Sequence, residues 1–188
     1  MPDAEPAGTT RTRLIEAAVQ LFTRRGFAGT SLQMIADELG FTKAAIYYHF
    51  RTREQLLTAV LDPVLEQLQQ IVEHAETQRS PASRADHMVR GYAELAIGNR
   101  ALVSVLSGDP SVNEALRARP EWDTVINQQL ALLANVDPGP AGTVRAAMVF
   151  SGIAGAAGIA SAGLTDEQLY HELTGAARRI LGLRSPRH

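Results

Sequence analysis

The stretch Thr30 to Phe50, TSLQMIADELGFTKAAIYYHF, leaves the chain few ways to fold. Leu32, Ile35, Ala36 and Leu39 recur at i, i+3, i+4 and i+7, which puts them on one buried face of a short helix. Thr30, with Gln33 three residues on, is a capping-box start for that helix. Gly40 then supplies the left-handed backbone that a sharp turn between helices needs. Thr42 can cap a second helix through its hydroxyl, and Ile46 and Phe50, at i and i+4, anchor that helix in a core. Thr42, Lys43, Ala44, Tyr47 and Tyr48 are left as candidates to face outward, with one of the two tyrosines expected to pack inward. Two short helices joined at a glycine turn make a helix-turn-helix.

The charges give this unit a task. Helix N-termini carry partial positive charge, so acidic residues are the comfortable ones there. Here Lys43 follows the Thr42 cap, Arg53 follows a second cap at Thr52, and Arg11 and Arg13 sit beside a third at Thr10. From Leu39 to Arg53 there is no acid at all. Bases and free backbone amides at successive helix starts suit a phosphate backbone, and the second helix suits a DNA major groove. Small Ala44 and Ala45 let that helix approach closely, while Tyr47, Tyr48 and His49 can donate hydrogen bonds to phosphates or bases. The plainer reading, a solvated basic face, has no use for the adjoining helix-turn-helix.

Charge distribution agrees. The whole chain is nearly neutral, at a formal −2, but Gly8 to Arg53 holds seven Lys or Arg against three acids. From Leu61 onward the balance reverses, with eleven bases and fourteen acids. Binding to nucleic acid is thus expected at one end only. With no cysteine in its 188 residues, the chain has no disulfide, thiolate catalysis or cysteine-bound zinc. HExxH, Gly-x-Ser-x-Gly and P-loop motifs are missing too, so an enzyme on a helical bundle is the weaker reading. His74 and His87 find no third ligand at a useful spacing, so no metal and no cofactor are expected.

The run from Leu21 to Leu57 resembles the DNA-binding domain of TetR-type transcriptional regulators. Phe22, Gly26, Thr30, Ile35, Ala36, Gly40, Tyr47, His49, Phe50, Glu54 and Leu56 fall in step with that family's pattern. The chain departs at Arg53, where the family usually has Lys, and at Ala44 and Ala45, near a position often held by Gly. The resemblance implies an all-α fold: an N-terminal three-helix helix-turn-helix head on a larger helical body for ligand binding and dimerisation. It also implies a homodimer on a palindromic double-stranded DNA operator, most simply a repressor, released by a small apolar or amphipathic effector. Lys43 is expected on base edges or phosphate, with Thr30, Thr42, Tyr48, His49 and Arg53 on the backbone.

The expected boundaries are a lead-in over 1–8, the head over 9–52, the body over 53–183 and a tail over 184–188. Helices are expected at about Thr10–Arg25, from Thr52 with a bend or break at Pro63, and at about Arg84–Ile97, Asn99–Leu106 and Ser111–Ala118. Three more follow, from Pro120 to about Leu133, Thr143–Ala162 and Asp166–Leu181, with no strand. Ala146 to Leu164 runs nineteen residues without a charge, near the length of a membrane span. Its Gly, Ala and Ser content suits burial in protein better than lipid, so no membrane partner and a cytoplasmic location are expected. Ser151, Gly152, Gly155 and Ala156, with the stripe Leu169, Leu173, Ala177 and Ile180, are the candidate dimer interface. His87, Met88, Tyr92, Trp122, Ile126 and Phe150 are the candidate ligand contacts, with Asn127 and Met148 beside them.

Overall fold

A computed structural model describes residues 7–108, 110–117, 119–159 and 163–183. The described residues form ten helices: α1 (Ala7–Arg25), α2 (Leu32–Glu38), α3 (Lys43–His49), α4 (Arg53–Glu76), α5 (Pro81–Gly98), α6 (Arg100–Gly108), α7 (Pro110–Arg117), α8 (Pro120–Ala134), α9 (Pro140–Ile159) and α10 (Asp166–Leu181). No strand occurs among them, so the all-α expectation holds. The expected lead-in 1–8 lies largely, and the tail 184–188 wholly, outside the described residues.

The head is α1 to α3, closed on a core of Leu14, Ala18, Phe22, Ile35, Ile46 and Phe50. Leu14, Ala18, Leu21 and Phe22 form the inward stripe of α1, and Phe22 meets Phe27 edge-on at 5.2 Å. Gly40 takes φ +68°, which lets Phe41 N–H reach the Ala36 carbonyl at 2.8 Å and Gly40 N–H reach that of Asp37 at 3.1 Å. This pair of bonds is a Schellman closure, and it fixes the angle at which α3 leaves α2.

Several helix starts differ from the sequence expectation. Thr10 does not cap α1, because the helix already begins at Ala7. Thr30 does not cap α2; Ser31 does, accepting from Met34 N–H at 3.2 Å. α5 begins at Pro81 on a Ser80 cap, three residues before the expected Arg84, since proline at N1 forgoes a hydrogen bond that no first-turn amide makes. Pro63 does not divide α4, which runs unbroken to Glu76. α9 begins at Pro140 rather than Thr143, and its expected end over 160–162 lies outside the described residues.

The body packs α4, α5, α8, α9 and α10 against one another, with α6 bridging α9 to α1 and α7 against α8. α4 is a second such bridge, touching α1 of the head and both α5 and α8 of the body. Gly91 lies where α5 crosses α4; a Cβ there would come within 2.7 Å of Ile71 Cγ2, so the approach needs glycine. Asp62 of α4 pairs with Arg119 at the start of α8 at 2.8 Å, tying the middle of α4 to the body. α9 is long and apolar enough to cross a membrane by composition. Here it packs against α5, α6, α8 and α10.

Gly142 closes the α8–α9 turn under the tightest constraint: a Cβ would lie 1.9 Å from the Asp137 carbonyl oxygen and 2.8 Å from that of Ala134. Gly142→Ala is expected to cost about 3 kcal/mol, a fall in Tm of about 6–12 °C. Gly98→Ala, where a Cβ meets nothing within 4 Å, is the control and should leave Tm level or raise it. Thermal unfolding followed by circular dichroism checks both, and equal Tm values would refute the constraint.

Candidate nucleic-acid interface and ligand cavity

α3 presents two faces of different chemistry. Ile46 and, just past its end, Phe50 are buried, while Thr42, Lys43, Ala44, Tyr47 and Tyr48 are exposed. The outward set is therefore as the sequence indicated, except that neither tyrosine packs inward: Tyr47 is 43% exposed and Tyr48 81%. The reason is the helical register, since Ile46 alone of this heptapeptide points into the head. Thr42 caps α3, its hydroxyl accepting from Ala45 N–H at 3.2 Å. The Lys43 ammonium rests over the Tyr47 ring at 5.7 Å, so cation and ring share one outer row. His49 is half-buried, edge-on to Tyr48 at 5.1 Å.

Two expected backbone contacts sit elsewhere. Thr30 is 2% exposed, and its hydroxyl donates to the Gly26 carbonyl at 2.8 Å, which places it inside the turn and away from any docked phosphate. Arg53 directs Nη1 to the carbonyls of Phe27, Ala28 and Thr30 at 3.0–3.2 Å and lies over the Phe27 ring at 4.4 Å. Its guanidinium is committed to the α1–α2 turn. Arg11 and Arg13 likewise lie over the Phe50 and Phe41 rings at 5.3 and 4.9 Å. Arg51, exposed between α3 and α4, is the base that the candidate set left out.

Residues 14–60, which hold this unit, match the family of Bacterial regulatory proteins, tetR family. The head is a TetR-type DNA-binding domain. The chain is 39% identical over 74 residues to the HTH-type transcriptional regulator TtgR of Pseudomonas putida, covering 39% of this chain and 35% of TtgR. It is also 31% identical over 121 residues to the HTH-type transcriptional repressor Rv3405c of Mycobacterium tuberculosis, covering 63% of this chain and 64% of that one. The chain thus spans about a third to two thirds of the length of these curated relatives. Across head and body together, the ketosteroid transcriptional regulator KstR2 of Mycobacterium tuberculosis superposes with a TM-score of 0.73 at 17% identity, covering 92% of this chain and 93% of KstR2. SCO3833 of Streptomyces coelicolor A3, a TetR-family member, gives 0.71 at 23%, covering 92% and 91%. The TetR-type fold therefore extends through the body.

Behind this TetR-type head the body holds a largely apolar cavity of about 550 Å³ between α4, α5, α8 and α9. Tyr92, Trp122, Ile126 and Phe150 line it, four of the six candidate ligand contacts, with Val64 and Leu68 of α4 opposite. The Tyr92 and Phe150 rings stack at 5.1 Å and 15°. Burial pushes the Tyr92 phenol well above its ordinary pKa, so it stays neutral. The other two candidates fall outside: Met88 is fully buried in the core, and His87 lines a separate polar groove with His74, Arg90 and Tyr170. Met148 and Asn127 are exposed, away from the cavity.

Gln129 was not among the candidates. It is fully buried on the same face of α8 as Trp122 and Ile126, and neither of its amide atoms has a hydrogen-bond partner among the described residues. Spacing could have found it, because a glutamine seven residues after Trp122 falls on the inward stripe.

The dimer candidates divide as well. Ser151 and Gly152 are exposed and Gly155 and Ala156 half-exposed, on a face of α9 that also shows Val144, Met148 and Ile159. A Cβ on Gly152 or Gly155 would meet nothing within 4 Å. Leu169, Leu173 and Ala177, by contrast, are buried within the chain, where α10 packs on α5 and α9; Ile180 is half-buried. The apolar stripe of α10 serves the intrachain core, packing on both α5 and α9.

Lys43→Ala and Arg53→Ala should separate contact from support. Lys43→Ala is expected to weaken DNA binding at least tenfold and reduce its salt dependence by about one ion, with Tm unchanged. Arg53→Ala should instead lower head stability by about 2 kcal/mol, as loss of charged hydrogen bonds does. Anisotropy titrations and thermal melts on both variants check this; a destabilised Lys43→Ala or a fully stable Arg53→Ala would reverse the assignment.

Proposed function

We propose that this protein is a homodimeric, ligand-responsive transcriptional regulator, most simply a repressor, acting in the cytoplasm on a palindromic operator. The observation that carries the DNA reading is the outward face of α3, with Thr42, Lys43, Ala44, Tyr47 and Tyr48 exposed on a helix whose other face is locked in the core. Such a helix enters the major groove, Lys43 and the tyrosines reaching base edges and Thr42, His49 and Arg51 the flanking phosphates. Symmetric half-sites require two heads.

The exposed face of α9 supports the second copy. Met148 is 55% exposed, Val144 58% and Ile159 83%, and Gly152 and Gly155 between them leave room for a close helix. A twofold pair of α9 helices buries these residues, with Ile180 and the outer side of α10 flanking them.

Effector response follows from α4. Val64 and Leu68 line the cavity, while Arg53 at the other end of the same helix holds the turn before α2. A molecule that binds one placement of α4 better than another shifts the population of head spacings. The cavity also borders the dimer face, since Ser151 and Gly155 belong to its wall.

The direct test is fluorescence anisotropy with DNA from the protein's own promoter region at several salt concentrations. Binding at least about a thousandfold tighter than to random DNA, with a steep salt slope, is the expected result. Equal weak binding to both, persisting against a selected library, would sink the reading. Met148→Glu tests the dimer separately: the variant should sediment as a monomer and bind the full operator at least about a hundredfold more weakly, as the linkage between half-sites is lost. A dimer of undiminished strength would move the interface elsewhere.

A further inference from the structure

The uncovered face of α9 is complementary to itself. Val144, Met148, Ser151, Gly152, Gly155 and Ile159 recur at i, i+4, i+7, i+8, i+11 and i+15, one stripe along the helix. Val144, Met148 and Ile159 project from it, 58%, 55% and 83% exposed, while a Cβ on Gly152 or Gly155 would meet nothing within 4 Å. Turned about a twofold axis between Ser151 and Gly152, the stripe sets bulk against space. Met148 falls opposite the partner's Gly155, Ser151 opposite the partner's Gly152, and Ala147 opposite the partner's Ala156. Val144 meets the partner's Ile159 at the two ends, where crossing helices diverge and longer side chains close the gap. A charge close to such an axis would face its own copy, and Ala146 to Leu164 carries none.

The seat at Gly155 has a second property. Gly155 and Ser151 are wall residues of the apolar cavity, whereas Met148 lies outside the cavity of its own chain. We infer that α9 pairs antiparallel with α9 of a second copy in this register, so that each Met148 seats on the partner's Gly155 and completes the partner's cavity. The inference rests on the α9 dimer proposed above, and it adds the register and a ligand site shared between two copies. A flexible thioether suits a wall that has to fit a ligand as well as a helix. Binding of an apolar ligand and dimerisation are then linked, each strengthening the other.

The chain has no cysteine, so introduced thiols report the register. Met148→Cys with Gly155→Cys should give a covalent dimer under mild oxidation. Either substitution alone should not, because its two copies lie about 10 Å apart along the helices. A double variant that stays uncross-linked while Met148→Glu sediments as a monomer would overturn the register alone; a dimeric Met148→Glu removes the α9 dimer itself. Cross-linking Val144→Cys to Ile159→Cys with bismaleimidoethane locks the pair and leaves Met148 in place, and failure of this lock also counts against the register. N-phenyl-1-naphthylamine, neutral and apolar, is the probe. Loss of emission from Trp122, the only tryptophan of the chain and a wall residue, places it in the cavity. Added to the locked dimer, Met148→Ala should weaken the probe about five- to tenfold, the effect of losing about 50 Å² of apolar contact. Because Met148 lies outside its own cavity, that loss has to cross the twofold axis. An unchanged affinity, or a locked dimer that does not bind the probe, would overturn the shared site and leave the dimer standing.

Discussion

The guanidinium of Arg53 connects the two parts of this chain. It sits at the first residue of α4, reaches three carbonyls of the turn between α1 and α2, and covers the ring of Phe27. The Phe27 carbonyl also accepts from Thr30 N–H at 3.2 Å, and the guanidinium adds donors of fixed fork geometry that hold the turn from outside. Thr30 completes the arrangement from inside, its hydroxyl on the Gly26 carbonyl. The placement of α2, and through the Gly40 closure that of α3, thus depends on where the start of α4 lies. A shift of α4 would move the reading helix as a unit, because the head core of Leu14, Phe22, Ile35 and Ile46 is closely packed.

At its other end α4 belongs to the body. Val64 and Leu68 form cavity wall, and Asp62 is held by Arg119, which opens the helix that carries Trp122. Among the described residues, Arg119 keeps one guanidinium nitrogen buried without a partner, and Gln129 keeps both amide atoms so. Unpaired polar groups along α8 cost the body stability. Cores built for stability alone fill such positions with leucine.

Much of the fold was legible because it rests on local rules. The spacing of Leu32, Ile35 and Ala36, the left-handed Gly40 and the caps at Thr42 and Thr52 are each decided within a few residues. α10 accordingly runs over the expected Asp166 to Leu181. Thr30 failed as a cap because Ser31, one residue on, offers the same chemistry, and the choice between them is made by the turn that Arg53 holds. Four ligand candidates share one cavity because aromatic residues on inward stripes tend to meet. His87 falls outside it because a half-turn of α5 separates the polar groove from the apolar slot.

Sequence by itself determined the helical class, the helix-turn-helix and the outward chemistry of α3. These follow from periodicity and from hydrogen bonds that close within one or two turns. Only the tertiary structure decided that Arg53 supports the head, that Leu169, Leu173 and Ala177 face inward, and that Trp122 and Gln129 carry polar atoms with no partner among the described residues. Each of these depends on partners far away in the chain, and pattern along a single helix says which side is apolar without saying what covers it. α9 makes the point most clearly: its composition is apolar all round, and only its packing against α5, α6, α8 and α10 reveals which face is left over.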